Sequence, residues 1–342
     1  MTLDNRAQPS LIRIDNVSKT FPVANPLREQ FRIAQGRLVR QQKTVKAVNG
    51  VSLDIERGEA LCVVGESGCG KSTLARLVMG LLATTQGQVL FEGERIDHLP
   101  RREMLPYRKK MQMIFQNPYA SLNPRMTVWQ TLEEPLRFHQ PSLGSGEVRA
   151  RIEEVMVSVG VDRSWGERYP HEFSGGQRQR ISIARALMVN PVFIAADEPI
   201  SALDVSIQAQ VLNVLMDAQE THNLTYLFIT HDLSVVEHFG TRIAVMYLGT
   251  LCELAEAKAL FEAPRHPYTQ ALLSAVPRLR DSRPNFIKLA GEVSTPLDLP
   301  SGCVFHKRCQ HANERCRQEV PVLQMVGSSQ QVACHAVVEG RL

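Results

Sequence analysis

The sequence predicts an α/β protein built on a mostly parallel sheet, and three observations carry that prediction. The runs EALCVV (59–64), VFIAA (192–196) and TYLFIT (225–230) are continuously apolar, as strands buried on both faces of a parallel sheet are. The first passes through a glycine-rich turn into a helical pattern from Ser72 to Leu82, the strand, loop and helix unit that holds phosphate. The other two end on Asp197 with Glu198 and on His231, polar residues at the carboxyl ends of strands, where open α/β sheets place their sites.

The remaining elements follow from pattern and composition. Residues 11–22 and 45–55 alternate apolar and polar positions and are rich in Val and Ile, which predicts half-buried strands of antiparallel edge structure. Between them, residues 24–46 carry Arg28, Arg32, Arg37, Arg40, Lys43 and Lys46, with Leu27, Phe31, Ala34 and Leu38 at helical spacing. An amphipathic insertion with a solvated basic face is one reading, and contact with membrane headgroups or a membrane partner is the other. Residues 117–190 read mainly as helix, including RARIEEVMVSVG and the stretch from Gly176 to Val189. Past about residue 258 the chain turns Pro-rich and Cys-rich, which places a domain boundary there.

Composition bounds the function. At 342 residues, 44% hydrophobic and 22% charged, the chain has material for a large core and, at about 150 residues per domain, for two domains. Its 39 Lys and Arg against 35 Asp and Glu leave +4, far from the dense basic stripe of a nucleic-acid binder. No apolar run reaches the roughly 18 residues of a spanning helix, and Asp4, Asn5 and Arg6 stand where a signal peptide carries apolar residues. A cytosolic chain is expected, in which seven cysteines are not disulfides.

The chemistry is concentrated in a few motifs. GESGCGKS, Gly65, Glu66, Ser67, Gly68, Cys69, Gly70, Lys71 and Ser72, matches G-x4-G-K-[ST] and continues into Thr73. Its glycines let successive N–H groups face phosphate oxygens, and the helix that follows adds its positive end. Lys71 neutralises phosphate charge and Ser72 is a magnesium ligand in such loops. Asp197 supplies a carboxylate for the magnesium shell, and Glu198 a second one to orient attacking water.

FSGGQRQR, Phe173 to Arg180, resembles the LSGGQ signature of ATP-binding cassette (ABC) ATPases, and further elements match in order: Phe21, Gln116 in FQNP, SALD at Ser201 to Asp204, and His231 in ITHDLSVVE. FQNPYASLNPRMTV, RHPYTQALLSAVPR and the Cys-rich tail after PSGC are similar to the ATPase subunits of the dipeptide, oligopeptide and nickel importer group. That resemblance implies a P-loop NTPase with a RecA-like core, an antiparallel β subdomain, a helical subdomain over about 117–180 within a cassette spanning 11–258, and a small Cys-rich domain over 259–342. It implies adenine stacking on Phe21, contacts to magnesium and attacking water from Gln116, and a γ-phosphate contact from His231. It also implies that Ser174, Gly175, Gly176 and Gln177, with Asp204, cap ATP bound to a second, related ATPase subunit. Two transmembrane permease subunits and an extracytoplasmic substrate-binding protein would complete an importer at the cytoplasmic face of the inner membrane, with no nucleic-acid partner. Cargo stays open among dipeptides or oligopeptides, a nickel chelate and an antimicrobial peptide. A soluble ABC ATPase outside transport is the reading from another class.

Cys303, Cys309, Cys316 and Cys334 are spaced C-x5-C-x6-C-x17-C, unlike the paired ligands of zinc ribbons or the ferredoxin run. The resemblance implies a [4Fe-4S] cluster; zinc, with His306, His311 or His335 as substitutes, and free buried thiols remain alternatives. Cys62 and Cys252 read as small buried hydrophobes, whereas Cys69, beside Lys71 and the loop dipoles, is expected to have a lowered pKa. In RHPYTQALL the proline starts a helix, and His266 and Tyr268 are assigned packing of the tail and no chemistry.

Overall fold

A computed structural model describes residues 10–23, 31–34, 37–40, 43–276, 287–289, 291, 295, 297, 299–327 and 329–342. In chain order the strands are β1 (Ile12–Pro22), β2 (Phe31–Ala34), β3 (Arg37–Arg40), β4 (Thr44–Ile55), β5 (Ala60–Val64), β6 (Gln86–Phe91), β7 (Glu94–Arg95), β8 (Met111–Ile114), β9 (Phe193–Asp197), β10 (Thr225–Ile229), β11 (Arg242–Tyr247), β12 (Thr250–Glu256), β13 (Gln324–Val326) and β14 (Gln330–Val332).

The larger sheet has the order β13-β14-β12-β11-β5-β10-β9-β8. Its β11, β5, β10, β9 and β8 are parallel neighbours, while β12, β14 and β13 continue it antiparallel. All five residues of β5, β9 and β10 are buried, which is why these segments are continuously apolar. Alternate side chains of β5 enter different cores: Ala60, Cys62 and Val64 face a cluster shared with the helices, and Leu61 and Val63 face one shared with the smaller sheet. Burying each such Leu or Val fully is worth about 1.5–3 kcal/mol. The register pairs Val63 with Ile229 and Ile229 with Asp197, so the strand ends carrying Gly65, Asp197 and His231 lie along one edge.

The smaller sheet is antiparallel, ordered β4-β1-β6-β7. Its β1 is an interior strand, because β6 covers the side that β4 leaves open; only the pairing of β1 with β4 follows from the edge reading. Where the insertion 24–46 is described, at 31–34, 37–40 and 43–46, it is the hairpin β2-β3 and the start of β4, and no helix. Phe31, Arg32 and Ile33 alternate apolar and basic residues, so a short period of two was present beside the helical spacing. Leu27, Arg28 and the remaining positions up to 42 lie outside the described residues.

The helical region is packed by Val128–His139, Ser145–Ser158 and Gly175–Leu187. Thr127 and Gln130 form a capping box that starts the first of these, satisfying two otherwise orphaned N–H groups. Val128, Leu132 and Leu136 line the face that meets Ile152, Met156 and Ile181 in the larger core.

The region past residue 258 does not stand apart. Its strands β13 and β14 extend the cassette's own sheet, and Tyr268, Cys303, Phe305 and Cys316 join the larger core. The expected boundary at 258 therefore marks a change of composition that the packing bridges. No helix among the described residues is long and apolar enough to cross a membrane.

Candidate nucleotide site

The phosphate loop is shaped by what a side chain would strike. Gly65 and Gly70 have φ of +151° and +105°, and a Cβ there would lie 2.1 Å from the Met246 carbonyl oxygen and 2.0 Å from that of Ala47. Gly70 is the residue from which the helix Lys71–Val78 starts, so the chain turns sharply and the cap residue has no side chain to bond the helix's first N–H groups. Lys71 is buried, only 4% exposed, and its Nζ donates to the carbonyl oxygens of Gly65 at 2.7 Å and Glu66 at 2.9 Å. The loop's cation is stored against the loop itself.

A cavity of about 460 Å³ opens over this turn, lined by Val45, Ala47, Ser67, Gly68, Gly70, Lys71, Ser72, Thr73, Gln116, Glu198 and His231. Glu198 leaves β9 in the left-handed region, φ +48°, a conformation that costs a non-glycine residue about 1–3 kcal/mol and is found at functional sites. Its N–H donates to the Ile229 carbonyl at 2.9 Å, tying the bend to β10. The Gln116 amide donates to Glu198 Oε2 at 2.9 Å, and His231 Nδ1 lies 3.5 Å from the same oxygen. Glu198 thus holds one carboxylate oxygen between an amide and an imidazole at the cavity wall.

Asp197 lies behind the wall, where Ser72 Oγ donates to its Oδ1 at 2.7 Å. Burial raises the Asp197 pKa, against the pull of the Ser72 hydrogen bond. The Ser72 hydroxyl, the Asp197 carboxylate and the Gln116 amide oxygen are the hard oxygen donors that suit Mg²⁺.

Other sequence-predicted residues fall elsewhere. Gly65, Glu66 and Cys69 are not among the residues lining the cavity; they form the loop's inner side. The Cys69 pKa is raised, contrary to the expectation of a reactive thiolate, because burial outweighs the Lys71 charge. Phe21 pairs with the cavity residue Val45 across β1 and β4, and the Lys19 ammonium stands 5.2 Å from its ring centroid. Ser174 caps the helix Gly175–Leu187 in a capping box with Gln177, yet Ser174, Gly175, Gly176, Gln177 and Asp204 lie away from the cavity lining. A Cβ on Gly176 would come 2.2 Å from Ile207 Cγ2, so close helix packing demands that glycine. Asp204, exposed, precedes the helix Val205–His222.

Two residues assigned no role touch the loop. The Tyr268 hydroxyl accepts from the Glu66 N–H at 2.9 Å, and Arg308 Nη1 donates to both Glu66 carboxylate oxygens at 2.9 Å. Tyr268 was visible in RHPYTQALL, but Arg308, one basic residue before Cys309, carried no pattern.

The four tail cysteines are free and are neighbours: Cys334, Cys316 and Cys309 each add to the burial that pushes the Cys303 pKa up to about 12. Among the described residues, however, no three His, Cys, Asp or Glu side chains are arranged to hold a metal ion. The thiols are gathered and desolvated without converging as ligands, so as placed they do not fit an iron–sulfur cluster or zinc.

The family profile described as ABC transporter matches residues 48–201, and that of the oligopeptide/dipeptide transporter C-terminal region matches 252–316. The oligopeptide transport ATP-binding protein AppF of Bacillus subtilis (strain 168) is 48% identical over 332 residues, 96% of this chain and 98% of the relative. The chain belongs to the ATP-binding proteins of the ABC transporter family. Within that family the dipeptide transport ATP-binding protein DppF of Escherichia coli (strain K12) is 50% identical over 313 residues, 91% of this chain and 92% of its own length. A solved ATP-binding cassette, described as a dimer in a post-hydrolysis state bound to ADP and Pi, superposes with a TM-score of 0.61 at 29% identity, over 72% of this chain and 98% of that one. The ABC ATPase cassette fold follows from these matches.

Proposed function

We propose that this chain is the ATP-hydrolysing subunit of an ABC importer for dipeptides or oligopeptides, working at the cytoplasmic face of the inner membrane. The observation that carries this reading is the convergence of Lys71, Ser72, Gln116, Glu198 and His231 on one cavity, in a chain whose relatives are named as peptide transport ATP-binding proteins.

The mechanism follows from the placement. Backbone N–H groups at the start of the helix Lys71–Val78 receive the phosphates, and Lys71 exchanges its loop carbonyls for phosphate oxygens. Ser72 and Asp197 with Gln116 would hold Mg²⁺, which would supply neutralisation of the phosphate charge. Glu198 orients a water in line with the γ-phosphate, Gln116 fixes the carboxylate, and His231 donates to the γ-phosphate. Phe21 offers a ring for the adenine. Ser174, Gly175, Gly176 and Gln177, with Asp204, close the site of a second, related ATPase subunit, as that subunit closes this one. Two ATPase subunits, two permease subunits and a substrate-binding protein make up the complex in this reading.

A [4Fe-4S] cluster on Cys303, Cys309, Cys316 and Cys334 belongs to the same reading and carries no step of the cycle. Its support is the neighbourhood of four reduced thiols; its obstacle is that they do not converge. Iron analysis of anaerobically purified protein decides it: about four iron atoms per chain with a brown colour supports the cluster, and colourless, iron-free protein removes it.

The function is tested by peptide uptake. Cells lacking this subunit should lose uptake of labelled di- and tripeptides and regain it with the wild-type gene but not with Lys71→Ala. Uptake unchanged by the deletion would refute the reading.

A further inference from the structure

The phosphate loop has a front that faces the cavity and a back that faces the C-terminal region, and Glu66 is its back. Every polar group of Glu66 is engaged. Its carbonyl accepts from Lys71, its N–H donates to Tyr268, and its carboxylate accepts from Arg308. Tyr268 is fully buried and Arg308 is 8% exposed, while the Glu66 side chain is 27% exposed, so the Glu66–Arg308 pair is partly shielded from water and its disruption leaves the buried guanidinium without its carboxylate. A rigid wall stands behind: the ring centroids of Tyr247 and Tyr268 are 4.8 Å apart, and Phe305 lies 5.3 and 5.4 Å from them.

The three tethers differ in one respect. Lys71 must release the Gly65 and Glu66 carbonyls to reach a phosphate, so its hold on the loop is lost when it is used. The Cys69 N–H, which also donates to the Glu66 carbonyl at 3.3 Å, belongs to the loop itself; among the described residues outside the loop, Tyr268 and Arg308 are what hold Glu66 through that exchange. Both come from the region past 258, outside the segment that carries every phosphate-contacting residue.

We propose that Tyr268 and Arg308 are positioning residues of the nucleotide site, which hold the back of the phosphate loop through Glu66 while Lys71 moves to phosphate and thereby set the affinity for ATP. This rests on the reading of the loop as an ATP site. The C-terminal region is then part of the nucleotide site's support as well as an extension of the sheet.

The test uses the assembled transporter for KM and kcat and the full chain for MgATP affinity. Tyr268→Phe removes only the hydroxyl and Arg308→Met only the charge and its hydrogen bonds. Each should raise KM and the Kd for ATP about three- to tenfold while kcat changes less than about twofold, and Arg308→Met combined with Glu66→Gln should cost clearly less than the two effects multiplied. Arg308→Lys should recover most of the affinity. Wild-type ATP affinity in both Tyr268→Phe and Arg308→Met overturns the proposal. So does a matched loss of kcat and melting temperature with KM unchanged, the signature of a merely structural role. A wild-type chain that bound no MgATP would instead overturn the site reading beneath it.

Discussion

The phosphate loop and the Ser174–Gln177 segment are built from similar parts, and they differ in what their glycines are for. Each is glycine-rich, each opens a helix, and each leaves N–H groups able to meet an anion. In the loop the glycines serve the backbone, with positive φ at Gly65 and Gly70 and a cavity in front that gathers Gln116, Glu198 and His231. In Ser174–Gln177 the demand is packing: Gly176 lies against Ile207, its φ is not positive, and the segment is not among the residues lining the cavity. In the function proposed above, the first is half a site with its ligands assembled, and the second is a donor to a site on another chain.

The comparison breaks most readily at Lys71. Lys71→Ala removes the loop's only cation, and MgATP affinity of the full chain should fall about 100-fold or more, since charge-assisted contacts to phosphate are among the strongest available. Titration calorimetry checks it. Ser174→Asp keeps a good N-cap and adds a negative charge where a second chain's phosphate would arrive. ATP turnover by the assembled complex should fall about 10- to 100-fold, with MgATP affinity of the isolated chain unchanged. Equal loss in both measurements would mean that the segment acts within its own chain. A smaller effect separates front from back of the loop: Cys69, buried with a raised pKa, should react slowly with iodoacetamide at pH 7 whether or not MgATP is present. Fast labelling would place the thiol at the front.

The smallest predicted effect concerns the wall behind the loop. Burial pushes His266 down to about 3, while in the unfolded chain it titrates near 6.5 (about the model-peptide value). Between those values the unfolded state binds the extra proton, so stability present above pH 6.5 is lost progressively as pH falls toward 3. His266 Nδ1 accepts the Tyr268 N–H at 3.0 Å; His266→Asn keeps an acceptor at that cap and should flatten the acid limb of the melting temperature. An unchanged slope would assign the acid sensitivity to other groups.

The sequence was most legible where burial on both faces left no choice of residue. The apolar runs at β5, β9 and β10 and the glycines of the loop revealed the sheet and the front of the site. It was less legible where pairing partners lie far apart in sequence. Nothing in residues 86–91 announces that β6 covers β1, and nothing near Gln330 shows that β14 joins β12. The hairpin β2-β3 was hidden because four-residue strands in a basic segment also satisfy a helical spacing. Arg308 was invisible for a related reason: a single arginine takes its meaning from Glu66, which lies far away in the chain and close in space. The four cysteines were legible as a group, but their spacing does not say whether their side chains converge.

The central claim is that Glu198, held by Gln116 and His231 at the cavity wall, orients the water that attacks ATP. Its most direct test is Glu198→Gln in the assembled transporter, with ATP binding and turnover measured on the same preparation. The account predicts MgATP affinity within about threefold of wild type and turnover lowered about 100-fold or more. Turnover retained at the wild-type rate would contradict it.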